Sequence, residues 1–218
     1  MSVSLPNGVI LALATAYGSV KNVTALSNAA PAVATSAAHG LSNGAIVEVK
    51  SGWQKLNDRI MRVSDAAASA FSLEGTDTQS QVLYPAGTGV GSVREVTAWT
   101  QITQVTDTST SGGDMQFATF SFLENDFESQ IPTQASAQSF TLTIADDPTL
   151  AGYKAVQAAA EKRDVRALRI TFPNGSVIFY NGYVSFNETP TMTKGQVMAV
   201  QATFSLLSRP VRYAAPSA

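Results

Sequence analysis

The chain contains no cysteine, a single histidine and few charges. Without cysteine there can be no disulfide scaffold, no thiolate zinc site and no thiol catalysis. Any Ser-His-Asp arrangement would have to use His39. That residue lies in "AAHGLSNG", a turn-like segment with no nucleophile motif beside it, and reads as a turn or strand-edge residue. The G-x-S-x-G, HExxH, P-loop and dinucleotide fingerprints are all missing. The run "GTGVGS" (87–92) has glycines but not the strand-then-helix context of a phosphate loop, and reads as a linker. The acidic run "LENDFE" (123–128) lacks the pattern and turn glycine of a calcium loop. No catalytic residue, cofactor or metal is therefore expected, and the chain is not read as an enzyme.

Only 14% of residues are charged, against about 25% in an average soluble domain. Fourteen Lys plus Arg against 16 Asp plus Glu leave a net charge of −2. Gripping nucleic acid by its phosphates takes clustered cations, which this balance does not offer. A surface short of charge suggests cover by other subunits. The apolar run "GVILALATA" (8–16) ends like a signal peptide, but residues 1–7 hold no Lys or Arg. It is also too short to span a membrane, and reads as a buried N-terminal strand.

What is present is mostly β patterning. Residues 8–27 read as a strand, a break at Gly18 and a second strand from Val20 to Leu26. From 27 to 77, short β runs are separated by turn chemistry. Val47 and Val49 alternate with Glu48 and Lys50, Met61 and Val63 with Ile60, and Phe71 with Leu73. These runs suggest a small all-β module, with "PAGTGVGSV" (85–93) as the linker out of it. Residues 115–123 and 139–146 are again β-rich. Between them, 124–138 reads as a long polar loop, and such loops are usually functional or disordered.

"DDPTLAGYKAVQAAAEKRD" (146–164) predicts the one helix, over about 147–163. Asp147 suits the cap, Pro148 the first helical position, and Lys162 and Arg163 the negative end. Next comes "LRITFPNGSVIFYNGYVSF" (168–186), a hairpin whose turn is Pro173-Asn174-Gly175. Its return strand is apolar on both faces and so should be covered on both. The core is one cover, and the helix or a neighbouring subunit the other. In the last strand, "MAVQATFSL" (198–206), Gln201, Thr203 and Ser205 form an uncharged face. Ser139, Thr141 and Thr143 form a similar face opposite Phe140, Leu142 and Ile144. The sequon-like "NGS" (174–176) is explained by the turn.

From the helix onward the chain resembles the tail tube family of lambda-like phages with long, non-contractile tails. That family carries an "IRFPNG"-like hairpin after its helix, a "GWVSS"-like continuation and a final strand ending in "GRP". Here these are Ile170 to Gly175, Gly182 to Ser185 and Ser208 to Pro210, and order, spacing and turn chemistry agree over 146–212. Residues 31–92 depart from the pattern. "HGLSNGAIVEV…LNDRIMRVSD…FSLEGTD" resembles a small β module recurrent in phage tail proteins, with Ala45 and Asp58 replacing the usual acid and glycine.

The resemblance implies a mainly β fold: a tail-tube β-sandwich (1–30 and 93–218) with one flanking helix, and an inserted, outward-facing all-β module (31–92). It implies six-copy rings whose inner sheets join into one barrel, stacked into a tail in the virion and assembled in the host cytoplasm. Partners would be the chain itself, a tape measure protein, a tail terminator and tail-tip proteins, with no membrane. Viral DNA would pass through without sequence-specific binding. In this frame the 124–138 loop bridges to the adjacent ring through Glu124, Asp126, Phe127, Glu128 and Ile131, with Phe127 and Ile131 as anchors. The uncharged faces at 139, 141, 143, 201, 203 and 205 would line a lumen that does not hold phosphates. Facing ordinary solvent is the other reading of those faces. Other functions stay open: a carbohydrate- or receptor-binding or decoration protein using Trp53, Phe71 and Tyr84, a ring protein of a contractile injection system, or a hydrolase using His39.

Overall fold

The computed structural model describes residues 7–215. Its elements run β1 (Ile10–Tyr17), β2 (Lys21–Val23), β3 (Ala25–Leu26), β4 (Ala32–Thr35), β5 (Ile46–Ser51), β6 (Arg59–Ser64) and β7 (Ala70–Leu73). Then follow β8 (Gly91–Ile102), β9 (Val105–Ser111), β10 (Met115–Phe120), β11 (Ser129–Ala135) and β12 (Ser139–Ala145). After α1 (Ala151–Lys162) come β13 (Val165–Thr171), β14 (Val177–Thr191), β15 (Ala199–Leu206) and β16 (Val211–Tyr213). One sheet has the neighbour order β3-β4-β7-β6-β5-β8-β1-β13-β14-β15-β12-β9, while β10 and β11 pair only with each other. The chain is mainly β with one helix, as the sequence pattern implied.

Connectivity explains why this sheet curls. β8 and β9 stand at opposite ends of the seven-strand path from β8 to β9, about 29 Å apart if the sheet were flat. Only Thr103 and Gln104 join them, a link that reaches no more than about 11 Å. The two ends must therefore approach. The concave face holds Leu13, Ile102, Leu142, Ile144, Leu168 and Phe204, gathered from both halves of the curl into one core. The halves face each other like the layers of a sandwich.

α1 closes this core with Tyr153, Val156 and Ala159. It begins later than its sequence suggests. Asp147 accepts hydrogen bonds from the Thr149 N–H at 3.0 Å and hydroxyl at 2.6 Å, forming a local turn in place of a helix cap. Leu150 then occupies the cap position with extended backbone, and Pro148 lies outside the helix. Those Thr149 bonds hold the Asp147 carboxyl below its usual range.

The 168–186 hairpin forms as read. Gly175 takes φ +80° in its turn, and Asn174 Oδ1 accepts the Ser176 N–H at 3.0 Å and hydroxyl at 2.7 Å. One face, with Leu168 and Ile170, enters the main core. The other face carries a correction. Within the chain its cover is not the helix: Ala167, Val177 and Phe179 pack with Ile60 of the module and with Val211 and Tyr213 of β16.

The module has its own core, built on Trp53, Leu56, Met61, Phe71 and Leu73. β8 joins the module's part of the sheet to the curled part: its first half pairs β5, with Val93 opposite Val49, and its second half pairs β1, with Thr100 opposite Leu13. The 85–93 stretch is accordingly no free linker. Strand β8 starts at Gly91, and Gly89 lies so close to Trp53 that an added Cβ would sit 2.8 Å from the indole.

Residues 124–138 are corrected as well. They are not a loop, because β11 occupies Ser129–Ala135 and pairs β10, with Thr119 opposite Gln130. Beyond Ser111 the β9–β12 hairpin bends at Gly112 (φ +76°) and continues as an arm whose tip is Ser121 to Glu128.

Candidate functional site

The six uncharged residues singled out from the sequence come together. Ser139 pairs with Ser205, Thr141 with Thr203 and Thr143 with Gln201 across β12 and β15. The hydroxyls of Thr141 and Thr203 are 3.1 Å apart and hydrogen-bonded. The register extends this row to both sides. Thr203 also faces Ser185 on β14, and Thr141 faces Ser109 on β9. The result is a four-strand band of Ser, Thr, Asn and Gln on the convex face, interrupted by Tyr183 and Asp107 and free of Lys and Arg. β9 supplies part of it unannounced, since "VTDTSTS" is polar on both faces and shows no period-2 contrast.

This half-sheet ends in two unpaired edges. β9 bonds only to β12 among the described residues. β13 stops opposite Tyr183, so Val184–Thr191 of β14 bonds only to β15. Free edges of this length are templates for another strand.

The arm places the other singled-out residues. Glu124, Asp126, Phe127 and Glu128 are at its tip and Ile131 is in β11. Phe127 is 76% exposed and Leu123 wholly so, and Met115, Phe117, Phe122 and Ile131 are exposed beside them. A monomer rarely leaves so many large apolar groups in water on one element unless a partner covers them.

Sequence reading missed the joint between module and curled sheet. Glu48 alternates with its valines as expected, but the face it points to is covered, leaving its side chain 1% exposed. Arg94 pairs with it, and Asn181 of β14 donates to it at 3.2 Å. Arg94 lies 4.1 Å above the Tyr17 ring, and burial pushes that phenol up. Asn181 and Ser208 also donate to the Asp58 carbonyl at 2.9 and 2.8 Å. The Tyr213 hydroxyl accepts the Arg62 N–H at 2.8 Å. The only sequence signal was an acid inside an apolar run.

Two alternative sites lose their geometry. Trp53, Phe71 and Tyr84 are the module's core, so no ring face is left for stacking on a sugar. His39 is 3% exposed. Its Nε2 bonds the Ala67 carbonyl at 2.7 Å, and its Nδ1 accepts the Leu41 N–H at 3.0 Å. Both ring nitrogens are thus held by backbone.

Comparison with known families settles the class. The family model described as phage tail tube protein, TTP, matches residues 51–215. The chain belongs to the phage tail tube protein family. It is a structural tail component, and that family is not a family of enzymes. No curated protein matches its sequence. Among solved structures, it is similar to the sheath/tube terminator of an extracellular contractile injection system, PVC, at 13% identity and TM-score 0.35 over 49% of this chain and 84% of that one. The sheath-tube complex of the same system matches at 14% and 0.34, over 49% and 79%. The anti-feeding prophage tube-terminating cap matches at 18% and 0.33, also over 49% and 79%.

Proposed function

We propose that the chain assembles into six-membered rings that stack into the non-contractile tail tube of a lambda-like phage, the conduit for its genome. The observation that carries this reading is the half-sheet β14-β15-β12-β9, free at both edges and without Lys or Arg on its convex face. Joining the β9 edge of one subunit to the β14 edge of the next would continue the sheet and remove both edges. Repeated around a ring, this makes a closed barrel lined by the Ser/Thr/Gln band. DNA would slide along such a wall, because no lysine or arginine is there to exchange for its counterions. The arm, with Phe127 and Ile131, would bridge to the next ring. The module packs on the other half of the curl and would face outward. Tape measure, terminator and tip proteins would meet the tube at its lumen and ends.

Electron microscopy of the purified protein tests the assembly, with rings or tubes expected. Thr203→Lys tests the lining. Tubes should still form, and genome delivery should fall at least tenfold; unchanged infectivity would remove the band from the lumen.

A further inference from the structure

The arm is a charge outlier as well as an apolar one. Gly112 to Gln138 holds four acids (Asp114, Glu124, Asp126, Glu128) and no Lys or Arg. With the whole chain at −2, everything outside the arm is net +2. Three of the acids sit at the tip among Phe122, Leu123 and Phe127. A surface that accepts this tip must be an apolar hollow with a cation at its rim.

Among the described residues, a hollow with an apolar wall and a nearby cation lies where the curled sheet fails to close. A cleft of about 700 Å³ opens between the start of β9 and the end of the β13–β14 hairpin. Its walls are mixed: Leu11, Ile102, Phe140, Phe172 and Tyr180 on one side, and polar Gln101, Gln104 and Thr106 on the other, and Phe140 stacks on Tyr180 at 5.3 Å. Arg212 lies 5.3 Å over the ring of Phe172, one of the wall residues, and it has no carboxylate partner among the described residues. Asp107 is at the rim, on the β9 side, so incoming acids are favoured only toward Phe172 and Arg212. The tip cannot fill its own cleft as the chain is folded, because β10 carries it about 20 Å beyond the Gly112 bend.

We infer that the arm tip of one copy docks in the β9/β13–β14 cleft of a second copy, its aromatic residues in the hollow and its acids on Arg212. The inference rests on the tube reading above and names the receiving surface for the bridge. Donor and acceptor are different surfaces, so the contact is head-to-tail and need not close on itself. That geometry suits an open-ended stack. The attraction between arm and rim is long-range and salt-sensitive, which orients the encounter, while the apolar contact holds it.

The lack of native cysteine makes the test clean. Leu123→Cys protein, mixed with Gln101→Cys protein, places one thiol on the tip and one in the cleft wall; both positions are solvent-exposed. Under mild oxidation this pair should form the mixed disulfide at least tenfold faster than Leu123→Cys with Lys55→Cys on the module. Adding Arg212→Glu to the Gln101→Cys chain should slow it at least fivefold. Equal rates for the two pairs, or no effect of Arg212→Glu, would overturn the inference. Microscopy of the same samples separates the two readings. Tubes without preferential cross-linking sink the docking alone. Preferential cross-linking without tubes sinks the tube reading alone. Neither result sinks both.

Discussion

The curled body and the arm are built from the same kind of sequence, short β runs rich in Phe, Ile and Thr, yet they are held by different means. In the body, apolar side chains from both halves of the sheet meet each other. Leu13, Leu142, Leu168 and Phe204 are at most 1% exposed. In the arm, no second layer exists. Phe117 and Ile131 face water at 55% and 54%, and a two-stranded ribbon on its own is marginal. Burying each large side chain gives about 1.5–3 kcal/mol, a gain the body takes within one chain. The arm can take it only against another molecule. Folding and the proposed assembly thus fall to separate stretches of the chain, and substitutions should separate them.

The largest effect is expected where the body is densest. Leu168 is fully buried at the centre of the main core. Leu168→Ala should cost about 3–4 kcal/mol through lost transfer energy and the cavity left behind. Urea unfolding of the monomer would show it as a lower midpoint with unchanged slope. A cost below about 1 kcal/mol would mean that the curl is held by its edges rather than by its core.

Next comes the joint between the body's two cores. Glu48→Ala removes the partner of Arg94 and the acceptor for Asn181, whose Oδ1 already lacks a partner. Breaking a buried pair costs about 3–5 kcal/mol, but Arg94 is 35% exposed and can regain water, so about 2 kcal/mol is the sharper expectation. The module and body share β8, so both should melt in one step, followed by tryptophan fluorescence from Trp53 in the module and Trp99 in β8. Two separate transitions would show that the module hangs on the body rather than being built into it.

How much of this was legible follows from the same contrast. An apolar run marked β1, period-2 alternation with a buried face marked β6, β13 and β15, and the Pro173-Asn174-Gly175 turn fixed the hairpin register. β9 and β11 were not legible. The alternation signal reports one wet face and one dry face, and in the edge strand β9 and the arm strand β11 nearly every residue is exposed in the single chain. The uncharged rows at 139–143 and 201–205 were visible, but their alignment side by side depends on the antiparallel register of β12 and β15, which links residues about sixty positions apart. The helix start was misplaced because Asp147 spends its carboxylate on Thr149, and the competing local turn has the same composition as a cap. Glu48 was unreadable as a joint because its cover comes from Asn181 and Arg94, far along the chain.

The smallest expected effect on the monomer is the most telling. Phe127 is 76% exposed at the arm tip and belongs to none of the three cores. Phe127→Ala removes almost no burial from the folded chain, so its unfolding free energy should change by no more than about 0.5 kcal/mol. If the ring is buried between copies, the same substitution removes an aromatic anchor from the contact, which costs about 2 kcal/mol per interface. Every added subunit feels that loss, so the concentration needed for assembly should rise about thirtyfold per contact. Light scattering against protein concentration would read it directly. An unchanged threshold beside an unchanged monomer would mean that the arm's aromatic residues stay in water after assembly. The arm's exposed apolar surface would then have to be matched to some partner other than a second copy of this chain.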